Sequence, residues 1–217
     1  MRTNPSSRRT ASPQPCAEPG TAGTGQAFGL HFRNPALLGQ ALTHPSYLHE
    51  HPEHPYPDNQ RLEFLGDAVV DLLVGEWLFH RYPSMHEGEM TTVRAHIVRT
   101  AGLAGFANEI GLGAHLLLGK GEQGSGGRSK SANLADAFEA LVGAAYLDGG
   151  LERVRTWLSG FLERHAGDID ARALPQDAKT SLQEAVQGTL RTTPSYRVIR
   201  ESGPDHAKVV TAQALVD

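Results

Sequence analysis

The hydrophobic residues of this chain follow helical spacing from residue 28 to residue 165. In the segment 59–82, apolar side chains are distributed almost all the way round a helix, and Pro83 ends the pattern. The segment 133–147 has the same character. Because helices that are apolar on every side are buried, the pattern predicts two core helices. The second one carries small residues that would let another helix approach closely: Ala140, Gly143, Ala144 and Ala145.

Shorter helical patterns flank these two core helices. They predict helices over 35–43, 87–101, 103–110 and 151–165, so that the chain up to residue 166 is expected to be all-α.

Two intervening segments are predicted to be loops. The segment 119–127 is rich in glycine, and the segment 49–58 contains three histidines and three prolines. His49, His51 and His54 raise the alternative of a metal site. No regular element fixes the geometry of these histidines, so an exposed loop is the preferred interpretation.

The pattern changes after residue 166. The segment 167–177 has the composition of a linker, and 179–188 predicts a short helix. Alternating residues then predict strands over 195–202 and 208–217, with a turn at 203–206 between them. We therefore expect a helical domain over 27–166 and a partial α+β domain, of order α-β-β, over 178–217.

Composition and charge limit the classes of function that the chain can have. Residues 1–26 are rich in Pro, Ser, Thr, Gly and Arg and predict a disordered tail. Residues 27–174 hold 12 basic and 18 acidic residues, which argues against nucleic-acid binding through a basic face alone. The chain has no apolar run of membrane-spanning length, no secretory leader pattern and a single cysteine, Cys16, so we expect a cytoplasmic protein.

The two predicted core helices each carry a pair of acids. Glu63 and Asp67 are four residues apart, and Asp136 and Glu139 are three apart, so each pair shares one helix face. If the helices cross, four carboxylates converge, and they need a counter-charge. Oxygen ligands without fixed His or Cys favour Mg²⁺ or Mn²⁺, which suit phosphodiester hydrolysis.

Two other interpretations of these acids stay open at this point. A di-iron bundle would need Glu-x-x-His on two helices, and neither acid pair is followed by such a histidine. Alternatively, each acid caps a helix or pairs with a nearby cation, Arg61 or Lys130.

Several segments resemble a known family. The segment 59–67, Asn-Gln-Arg-Leu-Glu-Phe-Leu-Gly-Asp, closely resembles the signature of ribonuclease III. Two further segments support the match and stand in the family's order: 42–47, Leu-Thr-His-Pro-Ser-Tyr, upstream, and 134–143, Leu-Ala-Asp-Ala-Phe-Glu-Ala-Leu-Val-Gly, downstream. The segments 179–184 and 203–206, with Tyr196, resemble the opening of a double-stranded-RNA-binding domain.

This resemblance implies the ribonuclease III endonuclease fold and a homodimer, in which each catalytic centre lies in a valley at the subunit interface and cuts one strand of an RNA duplex. It implies Mg²⁺-dependent hydrolysis of double-stranded RNA, with Mn²⁺ as a substitute, leaving 5′-phosphate and 3′-hydroxyl ends with two-nucleotide 3′ overhangs. Processing of rRNA precursors and other structured RNAs would be its role.

The resemblance also implies roles for individual residues. Phe64 would enter a socket on the partner subunit, and Glu87 would lie near the cleft and contribute to substrate selection. Asp67 and Glu139 would be catalytic. All four core acids would bind metal: Glu63, Asp67, Asp136 and Glu139.

Two departures from the family pattern qualify these expectations. Gln60 stands where the signature usually has Glu, so we expect a change in substrate selection. The RNA-binding domain ends after two strands, although Gln183 and His206 keep the positions that would reach 2′-hydroxyl groups. Gln60 also motivates an alternative function, a duplex-RNA-binding protein that does not cut.

Overall fold

The computed structural model describes residues 28–173, 186–202 and 209–216. The chain divides into two compact units, Met1–Ala166 and Gly167–Asp217. The predicted tail 1–26 and the predicted turn 203–206 lie outside the described residues, as do Gln183 and His206.

The first unit is helical, as predicted. Its α-helices are α1 (Pro35–Ala41), α2 (Pro45–Glu50), α3 (Gln60–Arg81), α4 (Glu87–Val98), α5 (Thr100–Glu109), α6 (Lys120–Gly124), α7 (Ser131–Gly149) and α8 (Leu151–Arg164), with 3₁₀ turns at Leu112–His115 and Gly127–Ser129. A further helix, α9 (Ala166–Ala173), occupies the first part of the predicted linker.

Helix α7 is the centre of the first unit, and α1, α3, α5 and α8 pack around it. Its buried residues lie on all of its sides, as the sequence pattern predicts. The largest of them are Leu134, Phe138 and Leu141. Phe138 also contacts the aromatic rings of Phe106 on α5 and Trp157 on α8, which joins three helices in one core.

Helices α3 and α7 run antiparallel and touch through their backbones. A methyl group at Gly66 would lie 1.8 Å from the carbonyl oxygen of Glu139, and one at Gly143 would lie 2.3 Å from that of Leu62. Only glycine fits at either position, because any side chain would force the helices apart. This contact fixes how the acidic residues of one helix face those of the other.

A buried carboxylate anchors the end of α7. The Asp148 side chain is 1% exposed and accepts hydrogen bonds from the backbone N–H groups of Arg33, at 3.0 Å, and Asn34, at 2.7 Å. The Arg153 guanidinium donates a third hydrogen bond at 3.1 Å. These bonds tie the end of α7 to the segment that leads into α1.

The predicted loop over 119–127 is instead ordered and contains α6. The Glu122 carboxylate accepts hydrogen bonds from Lys130 Nζ and Asn133 Nδ2, both at 2.8 Å. The Glu50 carboxylate accepts one from the Lys120 N–H at 2.8 Å. The loop prediction was wrong here because these partners are distant in sequence and do not affect the local pattern.

Helix α2 also overlaps the start of the other predicted loop. Pro45 stands at the first helical position, and the His44 ring accepts a hydrogen bond from the Ser46 N–H, which caps the helix. His54 then packs edge-on against Tyr47 and Tyr56 and lies 3.2 Å from the Thr43 hydroxyl. His54 and Tyr56 therefore pack against the helical unit, whereas most of the other residues in 49–58 are exposed and irregular, as the loop prediction expected.

The described part of the second unit contains most of α9, a helical stretch and a small antiparallel sheet. Strand β1 (Ser195–Ser202) pairs with β2 (Val209–Leu215), from Ser195 opposite Leu215 to Ser202 opposite Val209, with an irregularity between Val198 and Arg200. Residues 186–190 are helical, and the rest of the predicted helix 179–188 lies outside the described residues. The sheet agrees with the predicted partial α+β domain.

In the parts of the chain that the structure describes, no helix has both the length and the apolar character needed to span a bilayer.

The backbone contact between α3 and α7 predicts that Gly66→Ala destabilises the fold. The added methyl group has no room beside the Glu139 carbonyl, so we expect the free energy of unfolding to fall by about 1–3 kcal/mol or more. Gly105→Ala is the matched control, because a methyl group at this exposed helical glycine meets no atom within 4 Å. It should raise the free energy of unfolding by about 0.5–1 kcal/mol. Urea denaturation measures both, and equal stability of the two variants would contradict the packing argument.

Candidate metal centre

Three carboxylates from two helices meet on one side of the α3–α7 contact. Glu63 lies in the first turn of α3, and Asp136 and Glu139 lie one turn apart on α7. One oxygen of each carboxylate lies within 4.8 Å of one oxygen of each of the others. All three side chains are half-buried, so the cluster forms a partly shielded site that solvent still reaches.

The helix packing produces this convergence. Gly66 touches the carbonyl of Glu139 itself, and Glu63 precedes Gly66 by about one helical turn. Because the backbones are in contact at that point, side chains on the adjoining faces project into the same space. The acid cluster is thus a direct result of the close helix approach.

The cluster is electrostatically unfavourable without a cation. Burial raises the pKa of Glu139 to about 7, and the neighbouring carboxylates of Asp67, Glu63, Asp136 and Asp71 contribute to the rise. Burial likewise raises the pKa of Glu63, with further contributions from nearby acids, and that of Asp136. Each carboxylate therefore holds its proton more tightly than it would in water.

This donor set fits a hard divalent cation. It offers carboxylate oxygens from three residues, and Mg²⁺ and Mn²⁺ prefer such ligands. Lys130, one of the two cations considered as a structural partner for the acids, instead pairs with Glu122 at 2.8 Å. A bound cation would relieve the repulsion that adds to the effect of burial on the pKa of Glu63 and of Glu139.

Asp67 does not join the group of three. Its side chain is exposed, and it follows Glu63 by one turn on the same side of α3. It is nevertheless close enough to raise the pKa of both Glu63 and Glu139. The structure thus brings three of the four predicted acids together and leaves the fourth within electrostatic range.

The other predicted site residues lie outside this cluster. Gln60 is exposed at the start of α3, where its N–H donates to the Asp58 carboxylate at 3.2 Å. Glu87 is exposed at the start of α4 and accepts a hydrogen bond from the Thr91 hydroxyl at 3.0 Å. Phe64 is 82% exposed.

The sequence analysis missed two residues whose charges affect the pKa values of the clustered acids. Asp71 raises the pKa of Glu139 and lies 4.0 Å from the Arg94 guanidinium. Its spacing of four residues from Asp67 would have indicated that it extends the same acidic face. His44 opposes the rise in the pKa of Asp136, and its position in the segment 42–47 was the available signal.

The histidine alternative is not supported within the described residues. Glu63, Asp136 and Glu139 form the one group there of three or more acidic, His or Cys side chains close enough to share an ion. The His51 ring stacks on Tyr47 at 4.2 Å between centroids, and His54 is held by two tyrosines. These rings serve in packing.

A separate cavity of about 460 Å³ lies between the second half of α3 and α8. Its acids are already engaged: Glu76 pairs with Arg155 at 2.7 Å, and Glu163 accepts a hydrogen bond from the Trp77 indole at 2.8 Å. None of the clustered acids lines it, so it is distinct from the candidate metal centre.

Comparison with known proteins identifies the family. The model of a family described as Ribonuclease-III-like matches residues 34–164, which include both core helices and the acid cluster. The chain belongs to the ribonuclease III family of endoribonucleases. Ribonuclease 3 from Roseiflexus sp. (strain RS-1) is 45% identical over 188 residues, covering 86% of this chain and 79% of the relative. Ribonuclease 3 from Listeria monocytogenes is 46% identical over 195 residues, covering 88% and 83%.

Solved ribonuclease III structures have the same fold. The nuclease domain of the Campylobacter jejuni enzyme aligns with a TM-score of 0.61 and 35% identity, over 73% of this chain and 98% of that domain. A second structure of that domain, described as showing structural flexibility in a region involved in dimer formation, aligns with a TM-score of 0.60 and 38% identity, over 65% and 94%.

The raised pKa of Glu139 predicts how stability depends on pH without metal. The folded protein keeps the Glu139 proton up to about pH 7, whereas the unfolded chain releases it near the ordinary value of 4.5. Between these values the folded state binds more protons, so the free energy of unfolding falls as pH rises. In EDTA, Glu139→Gln should be more stable than the unmodified protein at pH 8 and should show a flatter pH dependence.

Urea unfolding at several pH values between 5 and 8 measures this effect. The matched control is Glu152→Gln on α8, whose exposed carboxylate pairs with Arg155 away from the cluster. If both variants kept the pH dependence of the unmodified protein, the Glu139 carboxylate would not be the cause.

Proposed function

We propose that this protein is a divalent-metal-dependent endoribonuclease that hydrolyses double-stranded RNA. The observation that carries the proposal is the convergence of Glu63, Asp136 and Glu139 from two tightly packed helices. Family membership supports the reaction class, because the relatives that cover most of the chain are named Ribonuclease 3. Mg²⁺ is the expected cation, with Mn²⁺ as a substitute.

Each acid has a role in this proposal. Glu63, Asp136 and Glu139 would hold the cation, and the nearby Asp67 would complete the ligand set. Asp67 and Glu139 are the proposed catalytic residues. When bound, such a cation supplies a Lewis acid that activates water and offsets the negative charge of the phosphodiester. The packed helices hold the carboxylates in place, so that little reorganisation is needed when substrate binds.

The proposed substrate and products follow the family resemblance. Cleavage would leave 5′-phosphate and 3′-hydroxyl ends with two-nucleotide 3′ overhangs, and rRNA precursors and other structured RNAs are the proposed substrates. Gln60 and Glu87 would influence substrate selection. Gln183 and His206 would contact 2′-hydroxyl groups of the duplex. A cytoplasmic location fits these substrates.

The proposed domain organisation follows the same boundaries as the sequence pattern. The nuclease domain would span 27–166, the linker 167–177 and the partial RNA-binding domain 178–217, with 1–26 as a tail. The small antiparallel sheet of β1 and β2 supports the assignment of the last domain.

We further propose that the protein works as a homodimer. Phe64, Leu72 and Phe79 are large, exposed apolar residues on α3. Their spacing places them within about 80° of one another around the helix axis, on a face that neither α7 nor the acid cluster covers. A contiguous exposed apolar face is typical of an interface with another protein, and Phe64 would be its central anchor.

A second candidate function is duplex-RNA binding without cleavage. Gln60 favours it, because an amide replaces the carboxylate that the signature usually carries at that position. The presence of all four remaining acids supports the enzyme over this alternative.

Cleavage of a long RNA duplex in Mg²⁺ separates the two functions. We expect the unmodified protein to cut the duplex, and Glu139→Gln to lose about two or more orders of magnitude in rate because a charged ligand is lost. Glu152→Gln should cut normally. Duplex binding without product from any of the three proteins would favour the alternative.

Phe64→Ala tests the dimer. A buried aromatic anchor is worth about 3–5 kcal/mol, so the variant should dissociate at protein concentrations where the unmodified protein is dimeric. The stability of the single subunit should change little, because the ring is 82% exposed there. Leu147→Ala, an exposed apolar residue on α7, is the control. Sedimentation that shows an unchanged Phe64→Ala dimer would remove this assignment.

A further inference from the structure

A cation from α4, Arg94, lies across the surface of α3. Its Nε lies 4.0 Å from Asp71 Oδ1. Its Cδ and Nη1 each lie 4.0 Å from the point where the first carbon of a side chain at Gly75 would stand. Gly75 follows Asp71 by about one helical turn, so the arginine side chain is held over this part of α3 by contacts at two successive turns.

Asp71 connects this arginine to the candidate metal centre. Glu63, Asp67 and Asp71 follow one another at intervals of four residues, so they form one row along α3. Asp71 is close enough to the acid cluster to contribute to the raised pKa of Glu139. The row is about 12 Å long from Glu63 to Asp71. An RNA duplex is wider than this distance, so Arg94 lies within reach of a duplex bound at the metal centre.

The guanidinium of Arg94 has N–H groups that the protein leaves available. Among the described residues, its side chain makes no hydrogen bond, and the 4.0 Å approach to Asp71 is its one ion pair. The Arg94 side chain is 42% exposed, so a ligand can reach it. Four other arginines of the helical unit instead donate hydrogen bonds to carbonyl or carboxylate oxygens: Arg128, Arg153, Arg155 and Arg164.

A phosphate is the ligand that suits this group. A guanidinium binds phosphate through two parallel N–H groups, and Arg94 has its terminal nitrogens free to do so. Residues 27–174 hold 12 basic and 18 acidic residues, so a polyanion at the metal centre needs positive charge beside the cation. Glu87, which is proposed to influence substrate selection, precedes Arg94 by two turns on the same face of α4.

We propose that Arg94 is a substrate-binding residue that holds a backbone phosphate of the RNA duplex close to the metal centre. The inference rests on the proposed function, because it names an RNA contact of that same site. Asp71 orients the guanidinium through Nε, and Nη1 and Nη2 donate to the non-bridging phosphate oxygens. Such a contact does not depend on base sequence and is made before and during the chemical step, so it contributes to affinity rather than to turnover.

Four variants separate a phosphate contact from a purely electrostatic role. Arg94→Gln removes the charge and the paired N–H groups, whereas Arg94→Lys keeps the charge. Arg99→Gln is the matched control, because it removes the same charge from an exposed arginine at the end of the same helix. Arg94→Gln combined with Asp71→Asn restores the local charge balance, so it would recover binding if Arg94 served only to neutralise Asp71.

The test is the affinity for a fluorescently labelled RNA duplex, measured by anisotropy at several KCl concentrations and constant Mg²⁺. Each variant is made in the Glu139→Gln protein, the parent here, which is expected to cut too slowly to disturb the measurement. We expect Arg94→Gln to bind about tenfold more weakly at low salt. The slope of log affinity against log salt should become shallower by about one. Two duplexes of unrelated sequence should be affected equally.

The other variants have distinct expected results. Arg94→Lys should keep the salt slope and bind within about threefold of the parent, because lysine still binds phosphate as a point charge. Arg99→Gln should bind as the parent does. The double variant with Asp71→Asn should bind as weakly as Arg94→Gln alone. With the Glu139 carboxylate restored, Arg94→Gln should raise the KM for duplex cleavage and leave kcat nearly unchanged.

Three results would overturn the inference. One is an Arg94→Gln variant with the affinity and salt slope of the parent. Another is recovery of affinity by Asp71→Asn, because Arg94 would then only neutralise that carboxylate. The third is an equal loss in Arg99→Gln, which would indicate a general effect of charge. In each case the protein with Glu139 intact would still cut the duplex, so the proposed function would stand. A protein that neither bound nor cut the duplex would overturn both.

Discussion

The backbone contact between α3 and α7 is the constraint on which the rest of the structure depends. Gly66 and Gly143 leave no space between the helices, so each helix axis is fixed against the other by main-chain atoms rather than by adaptable side chains. The carbonyl that Gly66 touches belongs to Glu139, one of the clustered acids. Packing and site geometry are therefore set by the same few atoms.

Holding three carboxylates close together costs electrostatic free energy, and the fold remains stable despite this cost. Burial disfavours the charged forms of Glu63, Asp136 and Glu139, and repulsion from nearby acids adds to this for Glu63 and Glu139. The large core around α7 supplies the stability that keeps them together. A cation that bound at such a site would meet carboxylates already held together, because they do not have to be gathered from a flexible chain.

Much of the fold and part of the site could be predicted from the sequence. Apolar patterns located α3 and α7 because long apolar helices leave a strong signal, but α3 is not buried on every side as predicted, since Phe64, Leu72 and Phe79 are exposed in the single subunit. The acid pairs were visible because residues three or four apart share a helix face. The exact grouping was not visible: spacing placed Asp67 with Glu63, but only the structure places Asp67 outside the group of three.

The missed features depend on contacts between distant residues. The segment around α6 is ordered by hydrogen bonds from Lys130 and Asn133 to the Glu122 carboxylate. A glycine-rich local pattern does not indicate such bonds. His44 was quoted only as part of a motif, because its effect on the pKa of Asp136 depends on how the start of α2 packs. Gly66 was likewise quoted only as part of the signature, because an isolated glycine in a helical pattern does not show which backbone it will meet.

The Asp148 anchor has a consequence for how this sequence can vary. Its carboxylate binds the backbone N–H groups of Arg33 and Asn34, and these groups are present whatever side chains stand there, proline excepted. Exchange of the Arg33 side chain would leave the anchor intact, whereas removing one residue from that stretch would shift the chain out of register with the carboxylate. The identity of residue 33 is thus free to drift over evolution, while the length of the segment that contains it is not.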